Sequence, residues 1–173
     1  MKAAGRGWPS FGSIGRTSRG RWLFACVAVA TFGAVAAALV SQYAYGMQPC
    51  PWCVLERLLF VAIGVFALLG LVWRGALGTR VAAAFASVLA LAGFAAAMWQ
   101  HFVAAKSTSC NLTLADRIMT ATQLDQLVPS VFESRVSCAD AAVTLAGIPY
   151  DFLAGALFAL VAIAMVRTLR LGA

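Results

Sequence analysis

Residues 50–73 read CPWCVLERLLFVAIGVFALLGLVW. From Val54 to Trp73 the only charged residues are Glu56 and Arg57. That length is close to the roughly 20 residues a helix needs to cross ~30 Å of hydrocarbon. Working outward, comparable apolar stretches run over Trp22–Val40, Val81–His101 and Ile148–Val166. The composition agrees: 62% of the 173 residues are hydrophobic and 11% charged, against about a quarter charged in soluble domains. The expected fold is an all-α membrane protein, a four-transmembrane-helix bundle with two outer loops. The second loop is long and carries a short amphipathic helix, foreseen around Leu124, Leu127, Val128 and Val131 from their helical spacing across Pro129.

The net charge of +7 does not point to nucleic acid, because the basic residues are scattered over the ends and short connections, without a zinc-finger or helix-turn-helix signature. They report orientation instead. Lys2, Arg6, Arg16, Arg19 and Arg21 precede the first helix, Arg74 and Arg80 join the second to the third, and Arg167 and Arg170 follow the fourth. The connection 41–53 has no Lys or Arg. The connection 102–147 offsets Lys106, Arg117 and Arg135 with Asp116, Asp125, Glu133 and Asp140. The positive-inside rule therefore sets both termini in the cytoplasm and both long connections outside. Trp22 and Trp73 fall at the inner interface, and Tyr43, Tyr45, Trp52, Trp99 and Tyr150 at the outer one. Residues 1–21 read as a cytoplasmic arm and 22–170 as a single transmembrane domain. The first apolar stretch is longer than the usual signal-peptide core, so an uncleaved anchor is expected.

Four of the five cysteines lie in the outer connections: Cys50 and Cys53 in the first, Cys110 and Cys138 in the second. That is the side on which disulfides persist. Cys26 sits alone in the first helix and reads as a small apolar filler. Two structural disulfides or a four-thiolate metal site are the alternatives to redox chemistry. Against metal, Cys110 and Cys138 are not close-spaced and no ligand histidine lies beside them. A structural link suits the long loop better than it suits Cys50-Pro51-Trp52-Cys53, where closing a tiny ring stabilises little. Pro49 and Pro51 set the expected start of the second helix at Cys53, whose thiolate the helix N-terminus would favour. Arg57 lies about one turn deeper on the same face. It reads as a snorkelling cation paired with Glu56, or, beneath a redox pair, as a guanidinium holding a quinone carbonyl.

Cys50-Pro51-Trp52-Cys53-Val54-Leu55-Glu56-Arg57 closely resembles the motif of the DsbB family, the quinone-dependent disulfide-generating proteins of bacterial inner membranes. Trp99-Gln100-His101, Leu124-Asp125, Val128-Pro129-Ser130-Val131-Phe132, Cys138-Ala139-Asp140 and Gly147-Ile148-Pro149 continue the likeness over nearly the whole chain apart from the arm. The stretch from His101 to Cys110 looks shorter than in the best-known member. The resemblance implies catalytic Cys50, Cys53, Cys110 and Cys138 and a membrane quinone (ubiquinone or menaquinone) held by Arg57 and His101. It also implies a periplasmic DsbA-like thioredoxin-fold partner that attacks a Cys110–Cys138 disulfide, after which the thiols exchange with Cys50–Cys53. A vitamin K epoxide reductase-like enzyme would carry its loop cysteines before the two-spaced pair, the reverse of the order here. An electron transporter would hold its cysteines within membrane helices, and a disulfide-stapled scaffold would have no use for Arg57.

Overall fold

A computed structural model describes residues 18–73, 75–106, 113–145 and 147–170. The arm over 1–17, Arg74 and Cys110 lie outside them. Four long helices, α1 (Ser18–Tyr45), α2 (Pro51–Val72), α3 (Ala76–Phe102) and α7 (Tyr150–Arg170), are each long and apolar enough to cross a membrane. The described part of the loop between α3 and α7 holds a 3₁₀ turn (Ala104–Lys106) and three short helices, α4 (Leu114–Thr122), α5 (Leu124–Leu127) and α6 (Pro129–Phe132). A two-residue antiparallel ladder, β1 (Thr144–Leu145) with β2 (Ile148–Pro149), turns through Gly147 at φ 84° and leads into α7.

α3 is the central seam. Ala82, Ala83, Ala86, Ala90, Gly93, Ala96 and Ala97 are buried along it, and small side chains let neighbouring helices approach closely. At Gly93 the ring of Phe158 from α7 occupies the space a Cβ would need. Phe158 in turn stacks on Phe60 of α2 with centroids 3.9 Å apart. Buried hydroxyls are satisfied within their own helices: Thr31 donates to the Val27 carbonyl, Ser87 to Ala83 and Thr168 to Ala164. Among apolar surroundings this gives each of these hydroxyls an acceptor. Val29, Leu68, Phe85, Leu91 and Leu160 point outward, as a lipid-facing surface requires. Cys26 is also exposed there rather than filling the interior.

α1 and α3 overrun their expected bounds at both ends. α1 carries on through Gln42 and Tyr43 to Tyr45. α2 starts earlier than expected, at Pro51. Proline is well tolerated as the first helical residue, where its missing N–H costs nothing, so it opens the helix here instead of delaying it. α7 starts later, at Tyr150, because Ile148 and Pro149 pair in the ladder.

The loop folds back onto the bundle. Thr113 and Asp116 cap α4 reciprocally, the Asp116 N–H donating to Thr113 Oγ1 and the Thr113 N–H to Asp116 Oδ2. Met119 and Phe132 pack on Val54 of α2, with Leu124 against that cluster. Leu127, by contrast, is 72% exposed. The expected amphipathic helix is thus two short helices, α5 and α6, with Leu124 turned to the bundle and Leu127 away from it. The Arg135 N–H donates to the Pro49 carbonyl at 3.0 Å, stitching the second outer loop to the first beside Cys50.

Candidate functional site

Cys50 is the N-cap of α2, and its sulfur accepts from the Cys53 N–H at 3.3 Å. Cys53 therefore sits in the first turn of the helix, two positions deeper than the sequence implied. The two sulfurs are 2.6 Å apart, near enough to join without backbone movement. Cys50 is fully buried, and Cys138 packs with it alongside Trp52, Leu55, Ala96 and Ala115. Trp52 is accordingly buried with the cysteines.

Cys138 and Cys50, packed together, polarise one another in opposite senses. The Cys50 thiol is pushed above the ordinary cysteine range, first by its bond to Cys138, then by Cys53 and by burial. Cys138 is drawn below that range, chiefly because the Cys50 S–H stabilises its thiolate, with the Trp52 backbone N–H as a further donor and burial opposing. A thiolate beside a thiol partner is the arrangement that exchange chemistry uses.

On its other side Cys53 opens on a cavity of about 290 Å³ between α1, α2, α3 and α7, at the small end of ligand sites. Its walls are largely apolar, from Val35, Ala38, Phe60, Leu153 and Leu157. Arg57 reaches its rim, donating through Nη1 to Gln42 Oε1 at 2.7 Å and the Val131 carbonyl at 3.0 Å, and through Nη2 to the Ala38 carbonyl at 3.4 Å. Three of its five donors are so used, leaving Nε–H and one Nη2–H. Arg57 therefore turns to Gln42 and α6 and not to Glu56. Glu56 Oε1, Gln48 Oε1 and Gln100 Oε1 belong to residues lining the cavity and have no hydrogen-bond partner among the described residues.

His101 is not among the residues lining this cavity. Its Nδ1 lies 3.0 Å from Asp151 Oδ2, and its ring packs on Phe102 and Phe152. Consecutive helical residues differ by about 100° in direction, so Gln100, which faces the cavity, turns His101 away from it. Cys110 lies outside the described residues, so its pairing is not seen. Among the described residues no cluster of His, Cys, Asp and Glu is arranged to hold a metal ion.

The family profile described as disulfide bond formation protein DsbB matches residues 20–168 of this chain. The chain belongs to the DsbB family. Its similarity extends to proteins named disulfide bond formation protein B. The one from Cupriavidus metallidurans is 31% identical over 125 residues, covering 68% of this chain and 73% of the relative. That of Ralstonia nicotianae is 34% identical over 126 residues, 68% and 74% of the two chains. That of Herminiimonas arsenicoxydans is 29% identical over 147 residues, 84% and 92%. This DsbB-family protein is thus a multi-pass membrane protein and a disulfide-generating oxidoreductase. Gln42, Gln48, Gln100 and Asp151 are polar residues of its site that the sequence did not single out as functional. A lone amide or carboxylate at the end of an apolar run carries no spacing signal.

Proposed function

We propose that the protein reoxidises a periplasmic DsbA-like dithiol protein and delivers the two electrons to a membrane quinone bound beside Arg57. The observation that carries this reading is the two-sided setting of the Cys50/Cys53 pair: Cys50 meets Cys138 of the loop, while Cys53 meets the cavity. The cavity's polar groups fit such an acceptor. The spare N–H groups of Arg57 suit carbonyl oxygens, and the unpartnered oxygens of Gln48, Glu56 and Gln100 suit the hydroxyls of the reduced ring. A bound quinone supplies a sink for two electrons and two protons.

In the relay, a partner thiolate breaks a Cys110–Cys138 disulfide, forming a mixed disulfide with Cys110 and releasing Cys138 as thiolate. The partner's second thiol then frees Cys110 and leaves the partner oxidised. Cys138 attacks Cys50 Sγ and expels Cys53 as thiolate. Cys110 next attacks Cys138, restoring the loop disulfide and releasing Cys50. The Cys50/Cys53 dithiol closes to a disulfide as it surrenders two electrons and two protons, so the sum is one dithiol oxidised for each quinone reduced. Arg57 stabilises the negative charge that develops at an acceptor oxygen. The Lys and Arg distribution supports both termini on the cytoplasmic side of a bacterial inner membrane, with 1–21 as an arm and 22–170 as the transmembrane domain. On this reading His101 serves the site through Asp151 and not by holding quinone.

The test is absorbance-monitored quinone reduction by purified protein given a reduced thioredoxin-like partner, comparing wild type with Cys50→Ser and Cys110→Ser. Turnover by wild type alone, with partner trapped as a mixed disulfide when relay cysteines are missing, is the expected result. No quinone reduction with any competent dithiol donor would refute the quinone-linked reading.

A further inference from the structure

Gln100 of α3 is 5% exposed, and its Nε2 has two neighbours: Cys53 Sγ at 3.4 Å and Asp151 Oδ1 at 3.5 Å. Asp151, also 5% exposed, meets His101 Nδ1 through its other oxygen at 3.0 Å. A side-chain amide can turn over to exchange its oxygen and nitrogen. Here the neighbours decide which way it faces. A carboxylate and a thiolate are both acceptors, and an amide nitrogen carries two hydrogens, one for each. Turned over, Oε1 would face two anions at once.

We propose that Gln100 is a catalytic donor to the Cys53 sulfur, and that Asp151, steadied by His101, is the positioning residue that keeps the Gln100 amide in its donating orientation. The inference rests on reading Cys53 as the sulfur that passes electrons into the cavity. When exchange expels Cys53 from Cys50, the negative charge arises beside a donor already in place, so no reorganisation is needed at that moment. The arrangement also separates the pair: Cys53 receives the Gln100 donor, while Cys50 is the buried thiol bonded to Cys138. Cys50 at the N-cap of α2, Glu56 and Arg57 of α2 and Cys138 of the loop also act electrostatically on Cys53 or its immediate neighbours, and Tyr43 and Tyr150 act on Arg57. All but Cys50 and Cys138 remain in every protein compared below.

The experiment uses full-length protein stripped of quinone, with Cys53 as its sole cysteine, alkylated with iodoacetamide across a pH series. Gln100→Met should move the midpoint up by about one unit and slow alkylation at neutral pH about tenfold, as expected for losing a hydrogen bond to a charged group. Asp151→Leu should move it the same way. Asp151→Asn keeps a carbonyl that still accepts from Gln100 and should stay near the parent. Adding Asp151→Leu to Gln100→Met should change nothing further, because the aspartate acts only through the amide. If Gln100→Met does not fold, as judged by circular dichroism, Gln100→Asn withdraws the amide by one methylene and carries the same expectation. An unmoved midpoint in a folded Gln100 variant overturns the proposal, as does an Asp151→Leu shift of equal size with and without Gln100. Because no quinone is present, a midpoint shift together with absent quinone turnover in the wild-type protein would refute the oxidase reading while leaving the assignment to Gln100 standing.

Discussion

Replacing Arg57 should separate its two tasks, bracing the loop and facing the cavity. Arg57→Met strips the donors from Gln42 Oε1 and the Val131 carbonyl. The Ala38 carbonyl lies within α1 and keeps its helical acceptor role. Two newly unsatisfied acceptors at about 1–3 kcal/mol each, partly relieved by water at the rim, put the loss near 2–4 kcal/mol. The fold should survive, since Tyr43 still donates to the Ser130 carbonyl at 2.7 Å and Phe132 still packs on Val54 and Met119. Catalysis should suffer more, because removing a preorganised donor at a developing oxyanion costs about 10²–10³ in rate. Arg57→Lys offers three donors where the two braces take two, so one remains for the cavity. Its turnover should fall about tenfold to a hundredfold, between wild type and Arg57→Met. The assay is steady-state quinol formation from a reduced dithiol donor, with the thermal midpoint in detergent read in parallel. The reasoning fails if folded Arg57→Met turns over within threefold of wild type, or falls no further than Arg57→Lys.

The packing and the loop allow three more tests. Gly93→Ala drives a Cβ into the Phe158 ring and should cost about 1–3 kcal/mol through overpacking. Gly33→Ala, with open space at its Cβ, should be neutral or stabilising by up to about 1 kcal/mol; their thermal midpoints should move apart. Since the Cys50 side chain draws Cys138 below the ordinary cysteine range, Cys50→Ala should shift Cys138 alkylation to higher pH and slow it near neutrality, read by comparing a reduced protein that keeps only Cys50 and Cys138 with one that keeps only Cys138. Leu124→Glu should loosen the Val54–Met119–Phe132 cluster and reduce dithiol-driven turnover, whereas Leu127→Glu, on an exposed side chain, should leave the bundle's thermal midpoint unchanged.

What was legible followed from length and period. Four apolar runs specify four crossing helices because no shorter element satisfies its backbone inside hydrocarbon. The two-spaced cysteines before such a run mark a helix start, although reading Pro51 as a breaker set that start two residues late. Thr113-Leu114-Ala115-Asp116 has a capping spacing that, read as such, would have located α4. The partners of Arg57 were not legible: Gln42 lies 15 residues before it and Val131 74 after, and only the packed helices bring the three together. His101 drew attention as the chain's one histidine, yet its neighbour Gln100 holds the position facing Cys53. That choice depends on how α3 is rotated against α2 and α7, which small-residue packing determines and composition does not.

The single backbone bond from Arg135 to Pro49 has a consequence for kinetics. Cys138 follows Arg135 by three residues, and Cys50 follows Pro49 directly. Three extended residues reach at most ~10 Å, and one sulfur confined within that radius has an effective concentration of roughly 0.4 M toward its target. A soluble thiol would have to approach that concentration to intercept Cys50 first. In the proposed relay, exchange between the loops is therefore effectively unimolecular, insulated from the surrounding thiol pool by the shortness of a tether and not by a closed door.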